Sequence, residues 1–115
     1  MKIIIAGSRS VRSLADVCVA MGESGWISQV KEIVSGGANG ADKLGELWAK
    51  THNKPVRLFQ AQWPIGRHAG VARNIQMAKY ADALVAVWDG KSAGTKHMIA
   101  QMRKLKKPVY VLTLN

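Results

Sequence analysis

The chain has 115 residues, 48% of them hydrophobic and 21% charged, with a single cysteine and a formal net charge of +10. That length suits one compact domain, residues 1–115, and the apolar content excludes wholesale disorder. The lone Cys18 excludes an internal disulfide and a cysteine-built zinc site; neither a metal nor another cofactor is expected.

The first apolar run, Ile3-Ile4-Ile5-Ala6, stops at Gly7. It is too short for a signal peptide, and no stretch approaches the ~18 apolar residues of a membrane span, so a cytoplasmic location and no membrane partner are expected. A short, continuous apolar run reads as a strand buried on both faces, which implies a parallel sheet. Val11, Leu14, Cys18 and Met21 then recur at helical spacing, which makes Cys18 a small core residue. Ser13 with Asp16 resembles a capping box, and Gly22 or Gly25 ends the helix.

Glu32-Ile33-Val34-Ser35 is a weaker strand, cut off by Gly36-Gly37. Leu44, Leu47, Trp48 and Thr51 trace a second helix face, with Asn39 as the expected N-cap. Pro55 opens a third strand, Val56 to Gln60. Residues 61–70, with Pro64, Gly66 and Gly70, read as loop. Val71, Ile75 and Ala78 mark a third helix ending near Tyr80, and Ala83 to Trp88 is the strongest buried strand. A loop at 89–94 precedes a fourth helix carrying Met98, Ile99, Met102 and Leu105, and Pro108 leads into a last strand, Val109 to Leu114. Strict alternation of strands and helices predicts an α/β fold: a Rossmann-like three-layer α-β-α sandwich on a mainly parallel five-stranded sheet.

In such sheets ligands bind at the carboxyl ends of the strands. Three loops there are rich in Gly, Ser or Thr: Gly7-Ser8-Arg9, the stretch from Ser35 through Gly36, Gly37 and Gly40 to Asp42, and Trp88 to Lys96. Glycines let backbone N–H groups approach a phosphate, and helix starts add unpaired N–H groups and partial positive charge. Arg9, Lys91 and Lys96 offer full charges; Ser8, Ser35, Ser92 and Thr95 offer hydroxyls, with Thr95 equally suited to cap a helix; Gly94 offers backbone. Asp42 would repel phosphate and is assigned to a ribose or base, or to the first turn of a helix. Trp88 is either core or a base-stacking ring. The expected ligand is therefore a nucleotide-like anionic small molecule. No G-x-x-x-x-G-K-[ST] occurs, and strand 1 lacks G-x-G-x-x-G, so neither a Walker-type NTPase nor a dinucleotide oxidoreductase is expected.

Ile5-Ala6-Gly7-Ser8-Arg9, Ser35 to Asp42, Arg73-Asn74 with Met77, Tyr80 to Ala83, and Trp88 to Thr95 together resemble the SLOG superfamily, specifically its small stand-alone bacterial and phage members. The resemblance covers nearly the whole chain. It implies a domain that binds nucleotides or nucleotide-derived signals, for sensing or sequestration, and a homo-oligomer. Relatives in that superfamily include lonely-guy phosphoribohydrolases and DNA-processing proteins. Arg73 resembles the arginine of the hydrolase branch, but the glutamate that branch carries after its glycine-rich loop is replaced by Lys96-His97-Met98-Ile99.

A binding protein is accordingly the leading expectation. The alternative is an N-glycosidase or phosphoribohydrolase using Arg73 with Asp42 or Asp89, and with His68 or His97 as proton carriers. A second alternative is nucleic-acid binding. Beyond Asp89 no acid occurs, while Lys91, Lys96, Arg103, Lys104, Lys106 and Lys107 follow; these six bases form either a solvated helix face or a polyanion surface. The tryptophans 26, 48, 63 and 88 are scattered along the chain.

Overall fold

The computed structural model describes residues 1–60 and 69–114. Five strands, β1 (Lys2–Gly7), β2 (Glu32–Ser35), β3 (Val56–Leu58), β4 (Ala83–Trp88) and β5 (Val109–Thr113), alternate with four helices, α1 (Leu14–Ser24), α2 (Ala41–Thr51), α3 (Ala69–Tyr80) and α4 (Ala93–Lys104). The sheet order is β3-β2-β1-β4-β5 and every pairing is parallel. This is the Rossmann-like α/β arrangement expected from the alternation.

Both faces of the sheet are covered, which is why Ile3 to Ala6 of β1 and Ala83 to Trp88 of β4 are uninterrupted apolar runs. Successive side chains point to opposite faces. Ile3, Ile5, Val85 and Val87 face Val17, Ala20 and Met21 of α1 and Trp48 and Ala49 of α2. Ile4, Ala6, Leu84 and Ala86 face Met77 and Ala78 of α3 and Met98, Ile99 and Met102 of α4. Trp48 is the largest fully buried side chain, and His52 stacks on its ring at 4.0 Å. The edge strand β3 is exposed along its length.

Helix ends follow local chemistry. Ser13 caps α1 by accepting the Ala15 N–H, and Gly25 closes it in a left-handed conformation. The α1 stripe that packs inward is Val17, Ala20 and Met21, which turns Cys18 outward; it is an exposed thiol and not a core residue. The N-cap of α2 is Gly40, not Asn39. Gly40 has φ +80°, and a Cβ there would lie 2.4 Å from the Ser8 carbonyl oxygen, so this cap packs directly on the β1 turn. Helix α3 already includes Ala69, two residues before Val71, and α4 starts at Ala93 with Ser92 as its cap. Gly70 and Gly94 thus belong to helices and not to loops, and Thr95 lies inside α4 rather than capping it. The loop expected at 61–70, with Trp63 and His68, otherwise falls outside the described residues.

Lys107 is no free surface base. Its ammonium donates to the carbonyls of Ala78, Lys79 and Ala81 at 2.8, 3.0 and 2.7 Å, holding the C-terminal end of α3. A cation there meets the negative end of the helix dipole.

Candidate functional site

The helices after β1 and β2 cover one face of the sheet, and those before and after β4 cover the other. The chain therefore parts between the carboxyl ends of β1 and β4, where open α/β sheets place their ligand crevice. A cavity of about 490 Å³ lies there. Gly7, Arg9 and Ser10 line it from the end of β1, Ala38 and Asp42 from the start of α2, and Arg73, Asn74 and Met77 from α3. Asp89, Ser92, Gly94, Thr95 and Met98 complete it from the β4–α4 side. The volume lies within the roughly 300–1,000 Å³ usual for small-molecule sites.

The walls are fixed by interlocked loops. Ser8 is buried; its carbonyl accepts the Ala41 N–H at 3.2 Å and its hydroxyl accepts the Asp89 N–H at 2.9 Å. One residue thus ties the end of β1 to the start of α2 and the end of β4. Ser35, also buried, donates its hydroxyl to Glu46 at 2.6 Å and accepts the Gly37 N–H at 3.1 Å. Both hydroxyls are spent inside the scaffold, and Ser35, Gly36, Gly37 and Gly40 support the crevice without lining it. Glu46 stands four residues after Asp42, and that i, i+4 spacing beside a glycine-rich turn was the available signal for its role.

Asp42 is 5% exposed, and its carboxylate accepts the Ala38 N–H at 3.2 Å. Burial pushes its carboxyl up to about 6, against the opposing pull of the Ala38 N–H and the Arg73 charge. Arg73 crosses from α3 to donate to the Gly36 carbonyl at 2.9 Å, while its Nε is buried with no hydrogen-bond partner among the described residues. A Cβ on Gly36 would lie 2.9 Å from both the Arg73 guanidinium and an Asp42 oxygen, so the glycine makes room for this pair. Asn74, buried, accepts from Arg73 and donates to the Gly94 carbonyl at 3.2 Å; its amide also contacts His97 Nδ1 at 3.1 Å. His97 thus braces Asn74 from behind the crevice wall.

Asp89 behaves differently. One of its oxygens accepts the N–H groups of Lys91 and Ser92, both at 2.8 Å, and those bonds hold its carboxyl below the usual range, with help from the Ser8 hydroxyl. It shapes the turn that launches α4. Ser92 caps α4 without a side-chain bond, and the first intrahelical bond runs from Lys96 N–H to Ser92 carbonyl. The N–H groups of Ala93, Gly94 and Thr95 therefore have no intrahelical acceptor, at the positive end of the helix dipole.

The structure does not bring every expected ligand residue to the crevice. Lys91 is exposed on the β4–α4 turn and is not among the lining residues. Lys96 and Trp88 line a separate groove beside β5, with the Trp88 indole N–H donating to the Ser92 carbonyl at 3.1 Å. His68 falls outside the described residues. Ser10 and Met98 belong to the crevice without having been anticipated as ligand residues, since nothing in their local sequence separates them from ordinary loop and core residues, whereas Ala38 and Met77 had stood only among the residues that carry the family resemblance.

Among the described residues no group of three His, Cys, Asp or Glu side chains is placed to hold a metal ion, and no helix is long and apolar enough to cross a membrane.

Fold and crevice together define a doubly wound α/β protein of Rossmann-like type with a cavity at its topological switch point, lined by charged and polar groups beside an apolar wall. Neither a family model nor, at a significant level, a solved structure matches the chain. It belongs to the same family as the Gene 61 protein of Mycobacterium phage D29, to which it is 34% identical over 116 residues, covering 94% of this chain and 93% of that one.

Proposed function

We propose that the protein binds a nucleotide or nucleotide-derived signal in the crevice between β1 and β4, as its resemblance to the SLOG superfamily implies. The observation that carries this reading is the convergence of Arg9, Arg73 and the open N-terminus of α4 on one cavity that also holds the buried Asp42. Two arginines and a helix start suit phosphate. Asp42 and Asn74 suit the hydroxyls and edges of a ribose and base, which an inorganic anion lacks. Met77 and Met98 supply an adaptable apolar wall for a ring.

The test is a thermal-shift screen against nucleoside monophosphates, cyclic dinucleotides and ADP-ribose derivatives, followed by chromatography of each mixture. A ligand at a hundredfold its Kd adds ~2.7 kcal/mol of stability. A shift with intact ligand, abolished by Arg73→Ala, supports binding; no shift with any of them refutes the reading.

One observation favours a second reading. A buried carboxyl that titrates near 6 beside an arginine is a competent general acid or base near neutrality. Under that reading Asp42 and Arg73 cleave an N-glycosidic bond of a nucleoside monophosphate, and the same chromatography detects the free base.

A further inference from the structure

A second groove, of about 690 Å³, runs between α4 and β5 and shares no lining residue with the crevice. Its more buried members are apolar: Trp88, Ile99 and Val111. Its exposed members include Lys96, Arg103 and Lys104. These cations are seven and eight residues apart on one helix, so they share a face over two turns, spanning about 10–12 Å at 1.5 Å per residue. No acid occurs between Gly90 and the end of the chain, so none from this segment offsets them.

We propose that this groove binds single-stranded nucleic acid, with phosphates along Lys96, Arg103 and Lys104 and a base against the Trp88 ring. The charge row selects a polyanion. It also disfavours a second copy of this chain, which would bring the same three cations against themselves under twofold symmetry. The apolar floor beside the row, which includes the Trp88 ring, selects a polyanion that carries apolar ring faces, and this separates nucleic acid from an acidic peptide. Trp88 is half-buried, packed against the core at the edge of this groove. Its indole N–H is bonded to the Ser92 carbonyl at the start of α4, which fixes the ring at one end of the cationic row. Lys107 takes no part, because its ammonium is bound to the end of α3.

The test is fluorescence anisotropy with a labelled, 5′-hydroxyl oligothymidylate of about 8 nucleotides, a length within the usual range for single-strand sites. Three phosphate contacts predict a slope of roughly −2 in log K against log salt, which is a loss of about 20-fold between 50 and 200 mM salt. The triple variant Lys96→Gln/Arg103→Gln/Lys104→Gln, checked for folding by circular dichroism, loses most of the affinity and the salt slope. Trp88→Leu weakens binding roughly 5- to 150-fold at constant slope, the range expected for one stacked base. The proposal is overturned if the wild type shows no salt-dependent binding, or if the triple variant binds as well as the wild type. It is overturned equally if a polyglutamate of matched length binds as tightly, or if Arg73→Ala rather than the triple variant removes binding, which would put the strand in the crevice.

Discussion

Replacing Asp42 by Asn tests whether a carboxylate is held in the crevice against its own solvation. The folded protein raises the Asp42 carboxyl from 3.8 to about 6, chiefly by burial. An acid whose folded pKa is raised binds its proton more tightly in the native state, so its favourable contribution is complete below pH ~4, falls as pH rises towards 6, and is lost above that. The change amounts to about 3 kcal/mol, from roughly two pKa units at 1.36 kcal/mol each. Asn keeps the shape and still accepts the Ala38 N–H, but has no charge to desolvate. The variant is therefore expected to match the wild type near pH 4 and to exceed it by up to about 3 kcal/mol at pH 8, a Tm gain of roughly 12 °C for a chain of this size. Urea denaturation from pH 4 to 8 measures both curves. An advantage that does not change with pH, or a loss of stability at pH 8, refutes the argument and makes the Asp42–Arg73 pair a net stabiliser. If Asp42 accepts a ribose hydroxyl, the same variant that gains stability loses nucleotide affinity, a trade-off common at functional sites.

Other perturbations separate the scaffold from the site. Gly36→Ala places a methyl group 2.9 Å from the Arg73 guanidinium, so nucleotide-induced thermal shifts should fall at least tenfold in apparent affinity while the far-ultraviolet spectrum is unchanged. Lys107→Met removes the cation bonded to three carbonyls at the end of α3 and should cost about 1–3 kcal/mol in urea denaturation; a neutral result would mean that water replaces the ammonium freely. Cys18→Ser should change stability by less than about 0.5 kcal/mol, and Cys18 should react with a thiol reagent in the native protein. Slow reaction that requires unfolding would return Cys18 to the core.

The sheet was legible because β1 and β4 are buried on both faces and so carry uninterrupted apolar runs. The helices were legible in existence but not in phase. Cys18 follows Val17 by one position, a rotation of about 100°, and that separates core from solvent. The same rotation divides α4: Gly94, Thr95 and Met98 face the crevice, whereas Lys96, Ile99 and Arg103 face the groove beside β5. A sequence reading that treats the β4–α4 loop as one unit therefore assigns Lys96 and Trp88 to the wrong side. Hydroxyl roles were illegible for another reason. Ser8 and Ser35 resemble phosphate ligands in composition, but buried polar groups need partners, and the neighbouring loops supply them within the fold.

The fate of the carboxyls bears on whether a ligand held in the crevice is also cleaved. Hydrolysis of a glycosidic bond ordinarily uses two acids, one kept protonated and one kept charged, on either side of the scissile bond. The expected candidates were Asp42 or Asp89, either one acting beside Arg73. Asp89 is charged, but its lowered pKa arises because one of its oxygens accepts two backbone N–H groups, and withdrawing it to act on substrate would break the turn that starts α4. Glu46, the remaining acid near Asp42, is bonded to the Ser35 hydroxyl below the crevice. Among the described residues this leaves Asp42 as the single carboxyl presented to the cavity without a scaffold duty beyond the Ala38 N–H. One such acid beside an arginine is sufficient to recognise a ribose next to a phosphate. It provides half of the two-carboxyl arrangement, and on that ground the crevice is better matched to holding a nucleotide than to breaking it.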